Sequence, residues 1–265
     1  MNKILLFIPM YNCEKQIVRV LRQLTGEVCA YISEVIVINN RSTDHGEEAV
    51  QNYLQKHSVP CVVRLLRNDE NYGLGGSHKV AFQYAVQHGF DYVIVLHGDD
   101  QGSIENLLPY LKNGEYRNYD CFLGARFMKG SRLQGYSTFR TLGNYVYDLL
   151  FSIGAGRWIS DLGSGLNMYS TEILKTHFYY RKFRDNLTFN CYMLLSSCYF
   201  KHKIKFFPIL WREDDQLSNV KIANQAIFTL KLLLQYMINS ESFIKDEHRD
   251  VTSYKYTSKE IYVNK

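Results

Sequence analysis

Proline is scarce, at four residues, and tryptophan scarcer, at two. So little proline excludes polyproline spacers and rigid linkers, and no low-complexity block or internal repeat replaces them. The chain also lacks any run of about 18 uninterrupted apolar residues, so no helix is expected to span a bilayer. The nearest stretches, Leu142 to Ala155 and Ile222 to Ile238, are broken by Asp148 and by Lys231 and Gln235. The six cysteines never form C-x-x-C, and the eight histidines show no metal-ligand spacing with them. That excludes a zinc ribbon and leaves reduced, buried thiols in a cytosolic protein as the simplest account. Gly163-Ser164-Gly165 has Leu162 where a nucleophile elbow needs glycine, which argues against a serine hydrolase. Gly73-Leu74-Gly75-Gly76 has His78 where a dinucleotide fingerprint needs its last glycine, and it does not follow the first strand.

What is abundant is tyrosine (21) and phenylalanine (15), enough in 265 residues for one large α/β domain with a sizeable core. The net charge of +5 gathers late, in Lys175, Arg181, Lys182, Arg184, Lys201, Lys203 and Lys205. On charge alone such a patch suits anionic lipid headgroups, polyanionic substrates or nucleic acid equally. No nucleic-acid motif accompanies it, so nucleic acid is not expected as a partner. The apolar start, Met1 to Pro9, runs into Tyr11-Asn12 without a small-residue cleavage site and reads as a first strand rather than a signal peptide.

Apolar β-type runs then alternate with helical periodicity, the pattern of a mostly parallel sheet flanked by helices. Strands are predicted at Lys3 to Pro9, Glu34 to Ile38, Cys61 to Leu66, Tyr92 to Leu96, Asp120 to Gly124 and Ile204 to Leu210. Helices are predicted at Glu14 to Leu24, around Ala49 to Leu54, around Val80 to Ala85, at Ile104 to Leu111 and at Ile222 to Ile238. The stretch between Gly124 and Ile204 reads as irregular. A domain over 1–240 and a polar tail of uncertain order over 241–265 are expected.

In a parallel sheet, ligands gather outside the carboxyl ends of the strands. Pro9-Met10-Tyr11-Asn12, Asn39-Asn40 and His97-Gly98-Asp99-Asp100-Gln101 should therefore converge. The last of these offers hard oxygen ligands on a tight turn, a place to hold a divalent ion against a diphosphate. The Gly75 and Gly76 amides could face a phosphate, or those glycines could let the following helix pack closely. Arg132 to Trp158 mixes basic and aromatic residues, which suits either an interfacial membrane helix or a buried helix near an acceptor; Asp148 would oppose deep insertion.

These turns, with Asn71-Tyr72-Gly73, Gly124-Ala125-Arg126-Phe127 and Asp161-Leu162-Gly163-Ser164-Gly165-Leu166 in this order, resemble the family 2 glycosyltransferases. The resemblance is to the branch of dolichyl-phosphate mannose synthase and the polyprenyl-phosphate glycosyltransferases. It implies a GT-A fold with a C-terminal helical extension, a nucleotide-sugar donor, Mg²⁺ or Mn²⁺, and inversion at the anomeric carbon. On that likeness Pro9, Tyr11, Asn12, Glu14, Asn39, Asn40, Gly75 and Lys79 are grouped with the donor, and Asp99, Gln101 and His97 with the metal. Arg126 matches a diphosphate arginine, and the Asp161 turn matches the acceptor region.

Three positions depart from the family pattern. Asn39-Asn40 stands where an acidic pair is common, Cys13 where a glutamate is, and His97 where the first metal aspartate is. The implied acceptor is a polyprenyl phosphate, which needs no base, or a glycan hydroxyl, for which Asp161 and Asp185 are the candidate bases. Asp185 could equally cap a helix. The implied location is cytoplasmic, with peripheral attachment at the inner face of a membrane left open. The rival readings are a sugar-phosphate nucleotidyltransferase, which would carry a glycine-rich basic loop where Pro9 to Asn12 stands, and a non-catalytic nucleotide-sugar-binding module.

Overall fold

The computed structural model describes residues 2–213 and 222–264. The chain begins β1 (Ile4–Met10), α1 (Glu14–Arg22), α2 (Gly26–Cys29), β2 (Glu34–Asn39), α3 (Gly46–Lys56), β3 (Val63–Asn68), α4 (Gly73–Gln87) and β4 (Tyr92–Leu96). It continues through α5 (Leu108–Asn113), β5 (Cys121–Ala125), β6 (Arg132–Gln134), α6 (Thr138–Ala155), β7 (Leu166–Ser170), α7 (Thr171–Thr176) and α8 (Phe189–Tyr199). The last elements are β8 (Ile204–Pro208), β9 (Leu210–Arg212), α9 (Ile222–Ile238), α10 (Ser240–Lys245) and β10 (Ser258–Val263).

Eight strands form one sheet in the order β10-β3-β2-β1-β4-β7-β5-β8. The pairs β3-β2, β2-β1, β1-β4 and β5-β8 are parallel, while β7 runs antiparallel to both neighbours and β10 antiparallel to β3. Every residue of β1 is buried, as expected of a strand covered on both faces. On one face lie Phe82, Phe90, Phe189 and Tyr192, and on the other Ile17, Val20, Leu21, Val50 and Leu54. The mostly parallel, helix-flanked sheet agrees with the expected fold class.

Two regions differ from the sequence reading. The stretch read as irregular contains β7, which inserts between β4 and β5 and pairs Leu96 with Leu166 and Tyr92 with Ser170. The expected polar tail is built into the fold. β10 closes the sheet edge along β3, Arg64 Nη1 donates to Glu260 Oε2 at 2.6 Å, and Val63 N donates to Asn264 Oδ1 at 2.7 Å. Its charged residues misled the reading because an edge strand is stabilised by main-chain pairing and ion pairs as much as by apolar burial.

α6 begins at Ser137, whose hydroxyl accepts from Arg140 N, and ends at Gly156 in the left-handed region. It turns Asp148, Phe151 and Ser152 inward. Its opposite face carries exposed Phe139, Leu142, Tyr145, Leu149 and Ile153 beside exposed Leu230, Leu234 and Ile238 of α9. Among the described residues, no helix is long and apolar enough to cross a membrane.

Candidate active site

The carboxyl ends of β1, β2 and β4 are stitched into one rim by main-chain bonds. Asn40 N donates to Met10 O at 2.9 Å and Gly98 N to Pro9 O at 3.0 Å, so the three polar turns do converge. The Asp161 turn joins them through His97 N, which donates to Gly165 O at 2.9 Å.

At the centre is Asp99, its carboxylate about one-third exposed at 34%. Its Oδ1 accepts from Gln101 N at 3.2 Å and its Oδ2 lies 3.9 Å from His97 Nδ1. Burial, with the Arg126 charge adding to it, pulls the His97 imidazole down to about 4, so the ring is neutral at physiological pH. Asp99, the imidazole of His97 and the amide of Gln101 are donors that suit a divalent cation. Among the described residues no three His, Cys, Asp or Glu side chains come together as a group that could hold a metal ion.

Asp100, the other carboxylate of the turn, points away from this function. It is buried at a positive φ of 59°, accepting from Arg19 Nε at 2.6 Å, from Gln23 Nε2 at 3.1 Å and from Arg212. Two guanidiniums neutralise it and tie the turn to α1 and β9.

Arg126 and Asp161 form a two-point pair, Nε to Oδ2 and Nη2 to Oδ1 at 2.8 Å each, and Arg126 N also donates to Oδ2 at 2.8 Å. Asp161 is fully buried, while the Arg126 guanidinium retains some exposure and lies over the Phe127 and Trp211 rings. With Gly163 N donating to Oδ1 at 3.0 Å as well, both Asp161 oxygens are taken by four N–H donors, so Asp161 is a positioner of Arg126 rather than the expected base. Asp148 comes up beneath this pair from α6. Burial, reinforced by the Asp161 charge, pushes its carboxyl up to about 8, and its Oδ2 has no hydrogen-bond partner. From sequence, Asp148 was expected only to oppose membrane insertion; its place on the inward stripe with Phe151 and Ser152 was the available signal.

The residues grouped with the donor divide. Tyr11 is half-exposed on the rim, next to Pro9. Asn12 and Glu14 instead clamp the loop after β2: Thr43 N donates to Asn12 Oδ1 at 2.8 Å and His45 N to Glu14 Oε2 at 3.2 Å. Asn39 and Asn40 are buried, with their amides spent internally. Asn39 donates to Glu47 and accepts from Ser42 N; Asn40 accepts from Tyr72 N and Asn68 Nδ2 and donates to Asn71. These four residues cross-link the loops of the rim; Asn12 and Glu14 are exposed there, and Asn39 lines an open pocket with Arg41, Ser42, Glu47 and Arg67.

Gly75 and Lys79 are corrected more firmly. A Cβ on Gly75 would lie 2.6 Å from Arg184 O and 2.8 Å from Phe189 Cβ, and its N–H already donates to Asp185 O at 2.7 Å, so the close-packing alternative holds. Lys79 is wholly buried, donating to Asp185 Oδ1 at 2.6 Å, to Phe183 O at 2.5 Å and to Tyr256 Oη at 3.1 Å. Burial outweighs the Asp185 charge and brings the ammonium down to about 8. Tyr256, just before β10, donates to Asp185 as well. Asp185 is thus the counter-ion of a buried lysine, not an exposed base.

This architecture is that of a GT-A glycosyltransferase, and residues 6–178 match glycosyl transferase family 2, to which the chain belongs. An undecaprenyl-phosphate mannosyltransferase of Micrococcus luteus is 25% identical over 174 residues, 65% of this chain and 68% of that protein. The crystal structure of S. aureus TarS 1–349 superposes with a TM-score of 0.56 at 16% identity, over 89% of this chain but only 65% of that one. Glucosyl-3-phosphoglycerate synthase of Mycobacterium tuberculosis, in complex with Mn²⁺, UDP and glucosyl-3-phosphoglycerate, superposes with a TM-score of 0.61 at 15% identity, over 89% of this chain and 80% of that one. The chain is a glycosyltransferase by family.

Proposed function

We propose that this protein transfers a sugar, with inversion, from a nucleotide-sugar donor to a polyprenyl phosphate at a membrane surface. The carrying observation is that both carboxylates nominated as bases are already committed: Asp161 to Arg126 and Asp185 to Lys79 and Tyr256. Asp148, whose carboxyl is held protonated at neutral pH, does not replace them. A phosphate acceptor is an anion already and requires no proton removal, whereas a sugar hydroxyl does. The likeness to an undecaprenyl-phosphate mannosyltransferase supports the same acceptor class.

In this mechanism Tyr11 offers its exposed ring to the nucleoside. Asp99, with Gln101 and His97, would hold Mg²⁺ or Mn²⁺, which when bound supplies positive charge to the departing diphosphate. Arg126 is oriented in advance by Asp161, so stabilisation of the leaving group incurs little reorganisation. The apolar outer faces of α6 and α9 would seat the protein on the bilayer that carries the acceptor. Phe139 is 82% exposed and Trp158 72%, and the one acid of α6, Asp148, points inward. On this reading the enzyme works as a peripheral protein at the membrane surface, a role that the exposed apolar side chains of α6 and α9 support.

The test is calorimetric binding of UDP- and GDP-sugars with and without Mn²⁺, followed by transfer to undecaprenyl phosphate. Binding that depends on the cation and on Asp99, with Asp99→Ala reducing transfer by about a hundredfold or more, is expected. Cation-independent binding, or near-normal transfer by Asp99→Ala, overturns the proposal.

A further inference from the structure

Two imidazoles, His78 buried and His97 mostly so, stand side by side behind the Asp99 turn, and neither has all its nitrogens satisfied. The His78 and His97 rings lie 6.2 Å apart at 74°, and Nε2 of each is buried with no hydrogen-bond partner. His78 Nδ1 is 2.8 Å from Leu74 O. A carbonyl only accepts, so this nitrogen carries the proton and, in a neutral ring, His78 Nε2 is a bare lone pair. His97 has Nδ1 turned toward Asp99 Oδ2, 3.9 Å away, and its ring rests on Gly165, where a Cβ would come within 2.9 Å of its Cγ. That close approach leaves the ring little room to turn over.

We propose that His97 Nδ1 is a nitrogen ligand to the cation at Asp99, that His78 selects the tautomer which makes it one, and that this donor set prefers Mn²⁺ to Mg²⁺. The proposal rests on the assignment of Asp99 as the cation anchor. Through one bridging water, the lone pair of His78 favours a proton on the neighbouring His97 Nε2, and that leaves His97 Nδ1 unprotonated toward Asp99. An imidazole nitrogen binds Mn²⁺ more readily than Mg²⁺, which keeps to oxygen ligands. His97 therefore makes the site more selective where a carboxylate would have kept it open to both ions.

The experiment is pulsed electron paramagnetic resonance on the full chain, labelled with ¹⁵N-histidine or unlabelled, loaded with Mn²⁺ and either UDP or GDP. Expected is a nitrogen coupling to bound Mn²⁺ that changes with the label and disappears in His97→Asp, while that variant still binds Mn²⁺ and gains Mg²⁺ in competition. His78→Phe, which keeps a ring in place but removes the lone pair, is expected to weaken Mn²⁺ binding by about tenfold. Mn²⁺ bound in an Asp99-dependent manner without histidine nitrogen coupling overturns the His97 assignment and leaves the Asp99 reading standing. An unchanged Mn²⁺-to-Mg²⁺ preference in folded His97→Asp overturns the selectivity. No bound Mn²⁺ with either nucleotide overturns both.

Discussion

Asp185→Asn separates a structural carboxylate from a catalytic one. The substitution keeps the shape of the side chain and leaves the fully buried Lys79 ammonium without its counter-charge. Removing one partner of a buried ion pair costs about 3–5 kcal/mol, since the remaining charge is stranded. Lys79 has an escape: its ammonium is already down at about 8 with Asp185 present, so without that carboxylate it sheds its proton near neutrality. The cost at pH 7 should therefore sit near the lower end, about 3 kcal/mol.

The sign of the pH dependence follows. A lysine whose folded value lies below its ordinary 10.5 binds fewer protons folded than unfolded, so stability rises with pH between about 8 and 10.5. In Asp185→Asn that rise begins at lower pH, and the deficit against the wild type shrinks as pH is raised from 6 to 9. Urea unfolding across that range measures it, and the double variant Lys79→Met/Asp185→Leu should regain most of the loss. A deficit below about 1 kcal/mol, coupled to a transfer rate reduced a hundredfold or more in folded protein, would refute the structural assignment and restore Asp185 as a base.

Other perturbations follow from the same geometry. Asp148 binds its proton more tightly folded, up to about 8 against an ordinary 3.8, so its stabilising contribution is complete below that ordinary value and is lost as pH rises to about 8. Asp148→Asn should match the wild type near pH 4 and exceed it near pH 8, by at most about 5 kcal/mol; equal denaturation curves at both would contradict the burial argument. Gly75→Ala drives a methyl into Arg184 O and Phe189, and should cost about 1–3 kcal/mol, seen as a lowered Tm by calorimetry, with an unchanged Tm arguing against tight packing there. Phe139→Ser combined with Ile153→Ser should weaken co-sedimentation with phosphatidylglycerol vesicles by about tenfold or more, and unaltered sedimentation would dismiss the α6 face as the membrane seat.

The strands β1 to β4 were legible because a strand covered on both faces must be written as an apolar run, and the polar residues that follow each run mark the ligand edge. β7 was not: Leu166-Asn167-Met168-Tyr169-Ser170 is short and mixed, and only its antiparallel insertion between β4 and β5 makes it a strand. Side-chain commitment was less legible still. Asn39, Asn40, Lys79 and Asp185 are polar residues near a predicted ligand edge, and sequence spacing cannot say that their hydrogen-bonding atoms are consumed by Ser42, Tyr72, Phe183 and Tyr256. The positions of Asp99 and Arg126 at strand ends were legible because their turns follow the regular strands β4 and β5.

The pairing of β10 with β3 joins Arg64 to Val263 and Asn68 to Ser258, contacts between segments that leave the ribosome far apart in time. Until residue 263 has been synthesised, β3 presents an open row of main-chain donors and acceptors, and the Lys79 ammonium waits for the Tyr256 hydroxyl. The nascent N-terminal half is therefore a sticky intermediate, and its dependence on chaperones should fall sharply at the moment β10 docks.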